Sequence, residues 1–292
     1  MNTFTIKDLE NISGIKAHTI RIWEQRYTFL KPNRTDTNIR VYTNDELKVL
    51  LNIALLNKYG FKISHISKLT PDEIRDKIFT LNQAQAQQER IINDLITFMV
   101  DLDLSRFEMT LDSFILSKGI EKTLTYIIFP FLEKIGVLWQ TNHINPAQEH
   151  LITNIIRQKL IVGIEKANTI LKLKTTVLLY LPEGEHHELG LLFVYYLLKI
   201  KGIQVLYIGA NVPLRDLEYV VKAKQPDYVY THLTNVHHNF NLDKYIPLLN
   251  IKVPNIPVII SGTIAQSYKK KLSGKIQLKS SLHEVMDFVS DL

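Results

Sequence analysis

Residues 183–190 read Glu-Gly-Glu-His-His-Glu-Leu-Gly and lie between an apolar β-type run and an apolar helical run. Within them Glu185, His187 and Gly190 form Glu-x-His-x-x-Gly. A histidine that ligates a metal through one ring nitrogen is oriented by what its other nitrogen donates to, and a carboxylate two residues away suits that task. A glycine three residues further on permits close backbone approach. His186 reads as a solvated loop residue. A second group is Trp139, then nine residues, then Glu149 and His150; by themselves these are a capped core aromatic and two surface polars. A third is cationic: Lys16, His18, Thr19, Arg21 and Arg26 in one segment, Lys31, Arg34, Arg40 and Tyr42 in the next. Such side chains are phosphate-backbone donors, and the alternative for the later segment is a solvated hairpin.

The elements that must position these groups follow from local signals. Thr5 with Asp8 caps a short helix that ends at Gly14, and a second helix runs from about Lys16 to Tyr27 with Ile15, Ile20 and Trp23 toward a core. Helix, glycine turn, helix is the outline of a helix-turn-helix. Phe29 to Tyr42 reads as two short arms around a polar turn, a wing. Thr43 with Glu46 caps a helix over about Asn44–Lys58, and Thr70 with Glu73 caps another that has Pro71 at its first position. Residues 81–90 are polar and free of Gly and Pro, a helical connector. Four amphipathic runs, beginning near Ile91, Phe107, Leu124 and Ile152, predict a small bundle, with Pro130 kinking or breaking the third. Asn145-Pro146 starts the fourth helix and puts Glu149 and His150 in its first turns.

Beyond about residue 171 the pattern alternates. Strands are predicted over 175–181, 203–208, 228–233 and 258–261 and near Ile276, with helices over 186–201, 214–223 and 282–289. That alternation predicts a doubly wound parallel sheet with ligands outside the carboxyl ends of the strands. Glu185 and His187 fall on the first such end. No Gly-x-Gly-x-x-Gly follows the first strand, which disfavours a dinucleotide fold.

Composition bounds the rest. The 292 residues hold no cysteine, excluding disulfides, thiolate metal sites and cysteine nucleophiles. Formal net charge is +6, and residues 1–70 carry eleven Lys or Arg against six acids, favouring a polyanionic partner at that end. No run reaches membrane-span length and no signal peptide opens the chain, so a cytoplasmic, non-membrane protein is expected.

Ile6-Lys7-Asp8-Leu9, Ser13-Gly14-Ile15, Thr19 to Glu24, and Arg34-Thr35 through Asn38-Ile39-Arg40-Val41-Tyr42 together resemble the winged helix-turn-helix of the MerR family of transcription regulators. The resemblance covers nearly all of residues 1–75. It implies that Arg21 and Trp23 lie on the recognition-helix segment, that Arg34, Arg40 and Tyr42 lie on the wing, and that the chain binds double-stranded promoter DNA as at least a dimer.

The rest of the chain resembles the cobalamin-binding pair of a helical cap, residues 76–170, and a flavodoxin-like domain, residues 171–292. In that family Glu or Asp-x-His-x-x-Gly supplies the lower axial ligand to cobalt, and Trp, nine residues, Glu-His covers the upper face. The resemblance therefore implies His187 as cobalt ligand and Trp139, Glu149, His150, Glu185 and Gly190 as cobalamin-binding residues. The family's Ser-x-Leu (or Ser-x-Thr) and Gly-Gly, which line the channel for the nucleotide tail, have counterparts in Thr231-His232-Leu233 and Ser261-Gly262. Threonine keeps a hydroxyl, whereas Ser261 puts a side chain where the tail needs room. Light-sensing members carry a histidine directly after the Trp; here Gln140 stands there, with His143 nearby.

The expectation is a DNA-binding repressor, not an enzyme and without catalytic residues. A bound cobalamin, adenosylcobalamin before methylcobalamin, sets its oligomeric state (dimer or tetramer), with light as a further input. The alternatives are a MerR-type regulator with a cobalamin-independent sensor and a corrinoid enzyme subunit.

Overall fold

The structure, a computed structural model, describes residues 2–140, 144–167, 169, 172–235, 240–270, 272 and 275–292, without the side chains of residues 137, 139 and 140. They form two compact units, Met1–Ile155 and Ile156–Leu292.

In the first unit α1 (Ile6–Ser13) and α2 (Ala17–Arg26) are followed by a two-stranded wing, β1 (Asn33–Arg34) and β2 (Arg40–Val41), and by α3 (Asn44–Lys58), α4 (Ile63–Ile66) and α5 (Pro71–Phe79). The capping boxes at Thr5, Thr43 and Thr70 all form: each hydroxyl accepts the N–H three residues on, and the acid there accepts the N–H of the cap. Gly14 ends α1 at φ 74°, where a side chain would be strained. The wing is antiparallel, with Arg34 opposite Arg40. Phe4 pairs with Tyr42 in an isolated bridge that ties the chain's start to the wing.

The bundle helices are α6 (Ala84–Asp101), α7 (Leu104–Lys118), α8 (Ile120–Thr123), a π-helical turn over Leu124–Ile128, α9 (Phe129–Gln140) and α10 (Pro146–Lys166). Reader and bundle, expected as separate domains, share this first unit. Asn44 on α3 donates to the Val100 carbonyl at the end of α6 at 2.9 Å, and Lys48 holds Asp101 at 2.9 Å. The expected disturbance at Pro130 is a widened turn on its N-terminal side. Proline has no N–H for the carbonyl four residues back, that of Tyr126, and Gln88 on α6 donates to that oxygen instead at 2.6 Å.

The second unit is a five-stranded parallel sheet. Its strands are β3 (Thr176–Pro182), β4 (Gln204–Val212), β5 (Tyr228–His232), β6 (Val258–Ser261) and β7 (Ile276–Lys279), in the order β4-β3-β5-β6-β7. The helices are α11 (Leu189–Ile200), α12 (Leu214–Lys224), α13 (Leu242–Lys252), α14 (Thr263–Ser267) and α15 (Leu282–Asp291). Strand order reverses between β3 and β5, so the crevice beyond their carboxyl ends is the binding position of such a sheet. Val229, Leu217, Val221, Ile246 and Leu249 pack one face beneath α12 and α13. On the other face Tyr230 stacks on Phe288 of α15, and Lys201 at the end of α11 donates to the last carbonyls of α15.

Two helices carry no clear local signal in the sequence: α13 has Pro247 inside it and α14 is five residues long. α11 begins at Leu189, three residues later than its apolar pattern predicts.

Candidate functional site

In the reader, α2 buries Ile20 and Trp23 and leaves His18, Arg21 and Arg26 exposed, with Thr19 half-buried and Lys16 just ahead of the helix. Lys31 and Arg34 are exposed on the wing; Arg34 donates to the Asn38 side chain at 2.7 Å, and Asn38 turns the wing tip at φ 64°. Two wing residues are engaged inward. The Arg40 guanidinium donates to Glu24 of α2 at 2.9 Å and is 28% exposed, while Tyr42 is fully buried and its hydroxyl donates to the same carboxylate. Burial and that carboxylate raise the Tyr42 phenol well above its ordinary value. The structure therefore corrects the expectation that Tyr42 lies on a phosphate backbone: it is a brace holding the wing to α2. The partner, Glu24, has no signature in sequence, because the two residues are 18 apart and meet only once the wing folds back. Glu24→Ala would leave the buried Tyr42 hydroxyl without its acceptor. We expect a loss of about 2 kcal/mol in urea unfolding and weakened DNA binding with no phosphate contact removed.

In the bundle, Glu149 is half-buried and His150 exposed in the first turns of α10. Between α6 and α10 the buried Gln148 does the fixing: its amide donates to Met99 O at 3.1 Å, and its oxygen accepts from Asn145 N at 3.2 Å. Trp139 and Gln140 lie at the end of α9 with side chains outside the described residues, as does the whole of His143.

At the end of β3 the sequence motif becomes a built site. Glu185 is fully buried and accepts five hydrogen bonds. Its Oε1 takes the N–H groups of His186 and His187 at 2.9 Å and the His187 Nδ1 at 2.7 Å. Its Oε2 takes the N–H groups of Thr234 and Asn235, just past β5, at 2.8 Å each. Burial pushes the carboxyl up, but the His187 ring and the N–H groups of His187, Asn235 and Thr234 pull it further down, to about 2. A permanent carboxylate at Nδ1 makes that nitrogen the donor and leaves the lone pair on Nε2, the tautomer a metal ligand needs. The loop is pinned from β4 as well: Asn211, at φ 58°, accepts Gly184 N–H at 2.9 Å. Among the described residues no group of three His, Asp or Glu side chains is placed to hold a bare metal ion. The hook is one ligand, suited to a metal that brings its own ligand set.

Beside the hook, Glu188 accepts from Arg157 of α10 at 2.5 Å and from the Tyr207 hydroxyl at 2.7 Å. Neither partner carried a sequence signal. The strand-end residues fall differently from their expected roles. On β5, Tyr230 and His232 face α11 and α15, so Thr231 points to the opposite side with its hydroxyl buried and without a hydrogen-bond partner among the described residues. His232, not Thr231, lies against Gly190: a methyl group added at Gly190 would overlap its imidazole. Ser261 bonds His232 Nδ1 at 2.8 Å and accepts from the Tyr230 hydroxyl at 2.7 Å. Gly262, at φ 95°, passes so close to the Leu233 backbone that no Cβ fits.

Burial pushes His232 down to about 4 against the opposing pull of the Glu185 carboxylate. A folded value below the ordinary 6.5 means that protonation favours unfolding. This share of stability is complete above pH 6.5 and is lost as pH falls toward 4. Between pH 7 and 4.5 the sheet unit should lose about 2 kcal/mol in urea unfolding, and His232→Ser should flatten that limb.

The family "MerR HTH family regulatory protein" matches residues 4–73, and "B12 binding domain" matches residues 91–162. The HTH-type transcriptional repressor CarH of Myxococcus xanthus is 28% identical over 275 residues, covering 91% of each chain. The repressor CarA of the same organism is 29% identical over 273 residues, covering 92% of this chain and 90% of that one. Among solved structures, the monomethylamine corrinoid protein of Methanosarcina barkeri shares the fold at a TM-score of 0.55 and 14% identity, over 70% of this chain and 99% of that chain. No helix among the described residues is long and apolar enough to cross a membrane. Residues 4–73 are thus a MerR-type helix-turn-helix domain and residues 91–162 a B12-binding domain, joined in one chain homologous over most of its length to CarH and CarA.

Proposed function

We propose that the chain is a transcription repressor whose DNA occupancy is set by a corrinoid held on His187. The observation that carries this reading is the Glu185–His187 pair, a buried carboxylate on Nδ1 at 2.7 Å that prepares Nε2 as a ligand, in a chain whose other end is a MerR-type reader. A bound cobalamin would be held on His187 and would supply a cobalt–carbon bond that light can break. The chain supplies the rest. Glu185 fixes the imidazole tautomer, the N–H groups of Thr234 and Asn235 fix Glu185, and Arg21, Arg26, Lys31 and Arg34 offer cations to phosphates. Trp139, Glu149 and His150 are carried into this reading by the resemblance alone.

The adenosyl form, a dimer or tetramer as the ligand-dependent state, and a light input are the finer parts of the proposal. Self-association raises occupancy because two readers on adjacent half-sites act at high effective concentration. Sizing by light scattering tests it. With adenosylcobalamin in darkness the chain should form a larger assembly than without it, and green light should return it to the smaller state. One size in all conditions would contradict the reading. A cobalamin-independent sensor on the same reader is the second reading, favoured by His232 filling the space at Gly190; failure of every corrinoid to bind would select it.

A further inference from the structure

The fit to a corrinoid divides within the second unit. At the cobalt position the residues suit the group. Where a tail would go, they do not. A corrinoid held on His187 would need room for its nucleotide tail elsewhere, and the resemblance to the cobalamin-binding family implies a tail channel at the ends of β5 and β6, close to Gly190. On the α11/α15 side of β5 and β6, next to Gly190, that room would have to be found among Tyr230, His232 and Ser261. Gly190 has no side chain to block it, but the His232 ring sits directly on it. The ring is held there by Ser261 Oγ on its Nδ1 at 2.8 Å, and Ser261 in turn accepts from the Tyr230 hydroxyl at 2.7 Å. Tyr230 and Ser261 are fully buried, and the Tyr230 ring is backed by Phe288. Three side chains in one hydrogen-bonded row therefore fill the position.

We propose that His232, latched by Ser261, is the residue that decides which corrinoids this chain accepts. Those lacking the lower nucleotide tail bind with the plug in place, whereas a full tail must displace the ring and break its bond to Ser261. The inference rests on the reading that a corrinoid is held on His187. It makes tail length the specificity variable, and the upper ligand does not enter.

The test compares two ligands that share an upper ligand and differ in the tail: adenosylcobinamide, which has no lower nucleotide, and adenosylcobalamin. Each is titrated into the full chain in darkness and followed by visible absorption, for wild type, His232→Ser and His232→Phe. The ratio of the two Kd values is the readout, so a general loss of folding quality cancels. Wild type should bind cobinamide at least about tenfold more tightly than cobalamin. His232→Ser should bring the ratio near one by tightening cobalamin alone, and His232→Phe, which keeps the bulk, should keep the preference. Equal Kd values for the two ligands on wild type, or a ratio that His232→Ser leaves unchanged, would overturn the inference while leaving corrinoid binding intact. Binding of neither ligand to wild type or His232→Ser would overturn the underlying reading and the inference with it.

Discussion

Replacing Glu185 with Gln is expected to destabilise the sheet unit by about 4 kcal/mol at neutral pH, a large effect for a change of one oxygen to an NH2 group. The carboxylate is acceptor on both sides: three donors converge on Oε1 and two on Oε2. A carboxamide has one acceptor and one donor end. Whichever way it turns, its NH2 faces at least two backbone N–H groups, part-buried, that lose their acceptor, and each orphan costs about 1–3 kcal/mol. The effect crosses the switch point, since two of the donors follow β5, about 50 residues away in sequence. Urea unfolding measures the loss. Glu185→Asp keeps both acceptor ends on a shorter stem and should lose less than Glu185→Gln. A Gln variant as stable as wild type would mean that the five contacts do not hold the loop.

His187→Ala is expected to leave stability close to wild type, because the ring is 45% exposed and its backbone N–H remains to bind Glu185. The effect falls on the corrinoid. Losing the axial nitrogen should weaken binding about 100-fold, at or beyond the top of the range for removing a residue that merely orients a ligand. The visible spectrum of whatever corrinoid still binds should change with the loss of nitrogen ligation. Glu185→Asp should fall between wild type and His187→Ala in affinity, since Glu185 acts through the ring. An unchanged spectrum and affinity in His187→Ala would remove His187 from the ligand role.

Where signals are local, the sequence was sufficient. The capping boxes at Thr5, Thr43 and Thr70 form because each needs only a hydroxyl, an acid three residues on and a helix start. The parallel sheet followed from alternating runs, and the hook from a spacing of three residues. What stayed hidden depended on register and on long loops. Whether Thr231 or His232 faces Gly190 is decided by the pleat, and a shift of one residue exchanges the two faces of a strand. The family resemblance pointed to Thr231; the strand presents His232 at Gly190. The acceptor role of Glu185 was legible toward His187, two residues away, but not toward Thr234 and Asn235. Likewise Tyr42 looked like a wing residue aimed at DNA because nothing local reveals that Glu24 waits for its hydroxyl. Tyr42 is a polar side chain near a functional region that serves another element.

The reader's cations and the hook's imidazole belong to one account only if loading the second changes what the first does. A gel shift on the gene's own upstream DNA, at fixed salt and in darkness, measures this directly, with and without a saturating adenosylated corrinoid. The account predicts that the loaded wild-type chain shifts the DNA at clearly lower protein concentration than the unloaded chain, and that His187→Ala shows no such difference. Equal shifts with and without corrinoid, in a wild-type chain whose spectrum shows the corrinoid bound, would contradict it.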